Sequence, residues 1–311
     1  MAPVPLRLYT HPDCLGHDPG APHVEVPARL GAVTDALSRS FPDLPWYPAP
    51  EATRAQLLRV HDPALLALVL DSGHRPDDPP LALDPDTFVG TGSAAAALRA
   101  AGAGVAAVDA VLAGEATRAF CAVRPPGHHA GHSTAMGFCL LNNVAVAAAH
   151  ALHAHGLPRV AVVDFDVHHG NGTQEILAAE PAALYVSSHQ SPLFPDTGGE
   201  AGGTGNVLNR GLAPGSGSDA FRKAWEEELL PALDAWRPRL LLVSAGFDGH
   251  RADPAAHVEL EADDFAWLTG ELAGIAASHA GGRMVSVLEG GYDLASLAEC
   301  SIAHVRALAR D

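Results

Sequence analysis

The sequence predicts an α/β protein built on a mostly parallel β-sheet with helices packed on both faces. Three observations lead there. Short apolar runs such as Val160–Val163, Leu240–Ser244 and Met284–Leu288 are continuous rather than alternating, as in strands covered on both faces. These runs alternate with stretches of helical periodicity, the order that produces parallel strands joined by crossover helices. Polar residues also cluster immediately after the strands, at the carboxyl edge where an open α/β sheet builds its site.

Taken in order, Leu6–Tyr9 reads as a first strand, followed by a polar, turn-rich loop from His11 to Pro27. Pro27 suits a first helical position for the pattern Arg29–Leu37. Helices are expected at Glu51–Arg59 and Pro63–Leu70, then a Pro/Asp loop over Asp71–Asp86 and an Ala/Gly-rich helix over Gly90–Leu112. Strand Phe120–Val123 leads into Arg124-Pro125-Pro126-Gly127-His128-His129. A helix over Asn142–His155 precedes the strand at Val160, and helix Gln174–Ala179 precedes strand Leu184–Ser188. A strand near Val207, helix Asp219–Trp236, strand Leu240–Ser244, helix Ala262–Ser278, strand Met284–Leu288 and a last helix complete the pattern. No internal repeat or linker composition interrupts it, so residues 1–311 are expected to form one domain.

Composition narrows the function. The 311 residues carry 19 Lys+Arg against 36 Asp+Glu, a formal net charge of −17. Nucleic acid and anionic membranes need a basic surface, so neither is an expected partner, whereas a cationic substrate is compatible. Cys14, Cys121, Cys139 and Cys300 have no framework spacing, which points to free thiols in a reducing compartment. The segment Met1–Arg7 lacks the apolar core of a signal peptide, and the apolar stretch Ser93–Ala113 is interrupted by Arg99 and Asp109. A cytoplasmic protein is expected.

The stretch Asp164-Phe165-Asp166-Val167-His168-His169-Gly170-Asn171-Gly172 is the densest chemical signal. Asp166 and His168 are two apart, so in extended chain they share a side, and this donor mixture suits a metal better than a capped strand end. Similar clusters follow other strands: His128-His129, then Ser187-Ser188-His189, Asp248, and Glu289 with Tyr292. Singly, Asp248 could be a loop carboxylate and Tyr292 a packed aromatic. Five clusters on one sheet edge make convergence the better reading.

Together with Gly137-Phe138-Cys139, Asn142-Asn143, Ser244-Ala245-Gly246-Phe247-Asp248 and Glu289-Gly290-Gly291-Tyr292, these motifs resemble the zinc-dependent histone deacetylase and acetylpolyamine amidohydrolase family, on its bacterial, class II-like side. The resemblance runs from about residue 6 to 307. It implies an arginase/deacetylase-like three-layer αβα fold with a central, mostly parallel eight-stranded sheet. It implies Zn2+ held by Asp166, His168 and Asp248, three protein ligands that leave room for water and a carbonyl oxygen. His129 would be the general base and acid, His128 its partner, Asp164 and Asn171 the groups that orient the pair, and Tyr292 the hydroxyl donor to the oxyanion. A structural K+ would lie among Asp164, Ser187 and the backbone carbonyls of Asp166, His168 and Ser188. Pro126, Gly137, Phe138, Phe194, Ala255 and Gly290 would line a substrate tunnel, with Arg29 on an exit path for acetate. The implied reaction removes the acetyl group from acetyl-lysine side chains or acetylated polyamines. A homo-oligomer is compatible with the resemblance.

Two departures bear on the substrate. Ala255 stands where relatives often carry a larger apolar gate, or Glu in polyamine-selective ones, which opens the rim. The entrance loop reads His23-Val24-Glu25-Val26-Pro27 rather than containing His-Pro-Glu. Rival readings are a dimanganese ureohydrolase, in which the His pair and Tyr292 have no task, and a non-catalytic acyl-lysine binding module, which has no need of them. Elsewhere, His150, His153 and His155 read as a solvated helix face. His11, His17 and His23 read as loop packing rather than a second metal site, and Cys139 as an inert buried thiol. Gly198–Gly205 lacks the Lys and helix start of a phosphate loop.

Overall fold

The computed structural model describes residues 5–20, 22–74, 78–199 and 205–310. Parts of the N-terminal stretch, of the Pro/Asp loop and of Gly198–Gly205 considered above therefore lie outside the described residues. The strands are β1 (Leu6–Thr10), β2 (Trp46–Pro48), β3 (Leu81–Ala82), β4 (Phe88–Val89), β5 (Arg118–Cys121), β6 (Val160–Asp164), β7 (Ala183–Gln190), β8 (Val207–Leu212), β9 (Leu241–Ala245) and β10 (Met284–Leu288). The helices are α1 (Ala28–Ser40), α2 (Arg54–Leu57), α3 (Pro63–Leu70), α4 (Ser93–Leu112), α5 (Asn143–His153), α6 (Asn171–Ala178), α7 (Ser218–Ala224), α8 (Leu230–Trp236), α9 (Ala262–His279) and α10 (Leu294–Leu308). A short π-helical turn, Trp225–Leu229, joins α7 to α8.

Eight strands form one sheet in the order β2-β1-β5-β10-β9-β6-β7-β8, and every neighbouring pair is parallel. β3 and β4 form a separate antiparallel pair. The order explains why distant polar clusters meet: β5, β10, β9, β6 and β7, the five strands that carry them, are consecutive neighbours. Their carboxyl ends share one edge, as the parallel arrangement requires. The inner strands are wholly buried, and Val160–Val163, Leu241–Val243 and Val285–Leu288 supply apolar contacts on both faces except at Ser286.

Several local expectations shift. α2 occupies only four residues of the predicted Glu51–Arg59 helix, opening on a capping box between Thr53 and Gln56. The edge strand β2 was not legible, being three residues that follow Pro45 and end in Pro48. β5 begins at Arg118 instead of Phe120, because the buried Arg118 guanidinium reaches the carbonyl of Leu308 at 2.8 Å and so tolerates a strand interior. α4 is long and apolar enough to cross a membrane by length and composition. Here it is largely buried, and Ala100, Ala103, Ala107 and Val108 belong to the main core. All four cysteines are free and buried.

Candidate active site

The chain turns sharply after β5, and buried polar contacts fix that turn. The Glu289 carboxylate, at the end of β10, accepts the backbone N–H of Gly127 at 2.6 Å and of His128 at 3.1 Å, and the Ser244 hydroxyl at 3.1 Å. Asn142 caps α5 by accepting the N–H of Ala145, while its amide donates to the Ala130 carbonyl at 2.9 Å. Asn143 donates to the carbonyl of Pro125 at 3.0 Å. The two histidines are thus delivered on a braced backbone.

Each imidazole has its own partner. His128 Nδ1 lies 3.1 Å from Asp164 Oδ2, which also accepts the Tyr185 hydroxyl at 3.0 Å. His129 Nδ1 lies 2.8 Å from Asn171 Oδ1, at the first turn of α6. The rings lie against each other, tilted by 45° with centroids 4.0 Å apart. Burial lowers the affinity of both for a proton, but Asp166 and Asp164 overcome it at His128 and push that group up to about 10. At His129, burial and the charges on His128 and His168 act together and hold it well below 6.5. The two rings are driven in opposite directions, a division that acid–base chemistry at neutral pH can use.

Asp166, His168 and Asp248 offer ligand atoms that all lie within 4.8 Å of one another. His168 Nδ1 faces both carboxylates, 3.0 Å from Asp166 Oδ1 and 3.0 Å from Asp248 Oδ2. Backbone N–H groups orient the acids: Val167 donates to Asp248 Oδ1 at 2.9 Å and Gly290 to Asp166 Oδ2 at 2.8 Å. The cradle is so close that a Cβ on Gly290 would stand 2.1 Å from Asp248 Oδ2, and one on Gly246 would stand 2.0 Å from Asp166 Oδ2. Burial and the neighbouring Asp166 push Asp248 up to about 7. Against the effect of burial, the same two acids draw His168 up to about 10. Two buried carboxylates and one imidazole with their ligand atoms gathered at one place fit a divalent metal with mixed O/N preference.

Above this floor a cavity of about 270 Å³ is lined by Val24, Asp86, His129, Gly137, Phe138, His168, Phe194, Ala255 and Tyr292. Phe194 lies edge-on to His129, with centroids 5.2 Å apart, and Phe138 edge-on to Tyr292 at 5.7 Å. Gly137 and Phe138 both take left-handed backbone, φ 56° and 68°. At Gly137 this demands glycine, because a Cβ would meet His129 Cδ2 at 2.5 Å and Phe194 Cε1 at 2.9 Å. Pro126 and Gly290, also expected on the tunnel wall, are not among the residues that line the cavity. Gly290 instead backs the two carboxylates, and Pro126 is buried within its turn.

Behind Tyr292 lies a buried ionic knot. Arg29 donates to Glu25 Oε1 at 2.9 Å and to the carbonyls of Glu289 and Gly291, each at 2.5 Å, and its guanidinium sits 4.8 Å from the Tyr292 ring centroid. Arg124 donates to Glu25 Oε2 at 2.6 Å. Burial alone would raise the Glu25 carboxyl, yet the two guanidiniums hold it at about 2. Asp164 and Ser187 are paired residues of β6 and β7, and both are buried.

The chain is similar to other proteins over nearly its whole length. The sequence profile described as the histone deacetylase domain matches residues 23–308. A histone deacetylase-like amidohydrolase of Pseudomonas aeruginosa is 43% identical over 269 residues, covering 84% of this chain and 69% of that protein. The chain belongs to the histone deacetylase family. The human polyamine deacetylase HDAC10 is 37% identical over 326 residues, which cover 98% of this chain but only 46% of that larger protein. The crystal structure of the HDA15 HD domain superimposes with a TM-score of 0.88 at 33% identity, covering 97% of this chain and 90% of that one. The arginase/deacetylase fold expected from the motifs is therefore the fold present.

The roles of other residues that shape this deacetylase-family site escaped sequence reasoning. Glu289 and Glu25 are visible in their motifs, but not what they do: they act on the backbone and on buried guanidiniums. Asp253 accepts the N–H groups of Tyr292 at 2.6 Å and Asp293 at 2.9 Å, fixing the tyrosine's loop. Asp86 reaches the cavity mouth from the β3–β4 hairpin. His169 turns away from the metal-ligand cluster toward Thr197 and Gln174. His11, His17 and His23 do not gather: His17 bonds Ser93 at 2.7 Å, while His23 packs edge-on against Phe138. The solvated face expected of His150, His153 and His155 is wrong at His150, which is buried and bonded to Asp109 at 2.7 Å.

Proposed function

We propose that this chain is a zinc-dependent amidohydrolase that deacetylates a linear amine, either an acetyl-lysine side chain or an acetylated polyamine, releasing free amine and acetate. The observation that carries the reading is the convergence of Asp166, His168, Asp248 and His129 beneath a cavity walled by Phe138, Phe194 and Tyr292. Asp166, His168 and Asp248 would hold the ion. When bound, zinc supplies Lewis-acid polarisation of the acetamide carbonyl and acidifies a water.

The chain's own groups do the rest. The two phenyl rings guide an extended aliphatic stem and exclude water from around it. Neutral His129, its Nδ1 fixed by Asn171, takes the water proton at Nε2 and passes it to the departing nitrogen. Cationic His128, held by Asp164, offsets negative charge as it develops. The Tyr292 hydroxyl donates to the oxyanion. Arg29 lies on the far side of Tyr292, where acetate would leave. Asp164 and Ser187, with the carbonyls of Asp166, His168 and Ser188, would bind a structural K+ that braces the β6 and β7 ends. The whole chain, residues 1–311, would act as one domain in the cytoplasm.

Ala255 leaves the rim without a bulky or acidic gate, while Asp86 offers a carboxylate at the mouth for a cationic or N–H-bearing substrate. A competition between acetyl-lysine peptides and acetylpolyamines, read as kcat/KM for each, tests the proposal. Hydrolysis of at least one class is expected. No turnover of either with zinc supplied would overturn it.

A further inference from the structure

Away from the cavity, three donors converge at the other end of α5. His150 Nε2 and His155 Nε2 lie 2.7 and 2.6 Å from the same atom, Asp109 Oδ1. The rings stand edge to face with centroids 5.0 Å apart, and the three ligand atoms all fall within 4.8 Å of one another. Asp109 belongs to α4, His150 to the last turn of α5, and His155 lies just beyond it. His150 is buried, whereas the Asp109 side chain is half exposed, so an ion and a completing water can reach the cluster. The two histidines hold the Asp109 carboxyl below its ordinary range against the opposing effect of burial, so the ligand is anionic.

We propose that Asp109, His150 and His155 form a second metal site, for a borderline divalent cation of the zinc type, that staples α4 to the end of α5. Two imidazoles and a carboxylate supply three corners of a tetrahedron, and water supplies the fourth. Both Nε2 atoms are drawn to Asp109 Oδ1, so the three ligand atoms are already gathered on one side of the α4–α5 contact, where an ion could replace the two N–H···O contacts. Arg59 Nη1 lies 3.2 Å from His150 Nδ1, so that nitrogen accepts and Nε2 carries the proton before capture. Metal binding moves the proton to Nδ1 and turns the exposed Arg59 outward. His153 takes no part, since it pairs with Glu180 at 3.3 Å.

The test is metal counting on the full-length protein. Metal-free wild type, His155→Ala and Asp109→Asn are dialysed against low-micromolar Zn2+, and ions per chain are measured. Wild type is expected to hold one ion more than either variant, and both variants to keep wild-type hydrolysis. The difference of one does not depend on whether Asp166, His168 and Asp248 also bind, so failure of the catalytic reading would lower all three counts together. Circular dichroism confirms that the variants fold, which the surface location of Asp109 and His155 favours. Equal counts overturn the proposal. A difference that emerges only at millimolar zinc marks an adventitious ion only, and overturns it too.

Discussion

Replacing Asn171 by Asp should move the acid limb of the pH–rate profile upward, and the size of the move follows from geometry. Asn171 Oδ1 lies 2.8 Å from His129 Nδ1 and carries no charge. An Asp in the same place puts a full negative charge about 4 Å from the centre of the imidazolium charge. With an effective permittivity of about 20, the attraction is about 4 kcal/mol. At 1.36 kcal/mol per unit, that is about three units of pKa. Burial of the new carboxylate works in the other direction, so a rise of about one to three units remains. A base with a higher pKa stays protonated, and therefore useless as a base, to higher pH. The acid limb of kcat/KM must shift alkaline by that amount, with a loss of about tenfold or more below it. Any bound metal is common to both proteins and cancels in the comparison. The assay is kcat/KM across pH 5 to 9 for wild type and Asn171→Asp at matched metal content. An unmoved acid limb in a folded, metal-loaded variant would remove His129 from the role of base.

Other outcomes are equally specific. Tyr292→Phe should retain zinc and lower kcat about tenfold to a thousandfold, the value of one oxyanion donor, and undiminished turnover would contradict its assignment. Gly290→Ala places a methyl 2.1 Å from Asp248 Oδ2 and should weaken zinc binding by about a hundredfold or more. Gly249→Ala, whose Cβ meets nothing nearer than 3.4 Å, should leave zinc affinity unchanged, and equal affinities in the two variants would refute the cradle. Acid should destabilise the fold through its buried neutral histidines. Burial holds His17 and His61 at about 4 and His189 and His304 at about 3, so the native state keeps them neutral while the unfolded chain protonates near 6.5. Their contribution is whole above pH 6.5 and is lost as pH falls toward 4 to 3, on the order of 2 kcal/mol per histidine between pH 7 and pH 5. Asp248, held at about 7, works the other way over the same interval, so the readout is a difference: urea unfolding at those two pH values should show a drop about 2 kcal/mol smaller in His304→Gln than in wild type, and an identical drop would contradict it.

How much of this was legible in the sequence depends on how each residue acts. Residues that act through side chains at the carboxyl ends of parallel strands were readable, because the sheet order brings β5, β10, β9, β6 and β7 side by side. Asp166, His168 and Asp248 meet for that reason, although 80 positions separate the last two. Residues that act on backbone were not readable. Glu289 binds the N–H groups of Gly127 and His128, and Asp253 binds those of Tyr292 and Asp293, partnerships that exist only after folding. Periodicity misjudged segments where polar groups are buried with partners, as at Arg118 in β5 and His150 in α5. It also missed β2, whose Trp46 and Tyr47 form too short a run between prolines to signal a strand.

Asp166, His168 and Asp248 are proposed to hold the metal on which hydrolysis depends. The most direct test is acetate release from an acetyl-lysine peptide and an acetylpolyamine by the purified chain, before chelation, after it and after zinc is restored, beside Asp248→Asn. Chelation should abolish release, one zinc per catalytic site should restore it in wild type, and Asp248→Asn should stay inactive at the same zinc level. Full activity in the chelated protein, or in Asp248→Asn without zinc at that site, would contradict the proposal.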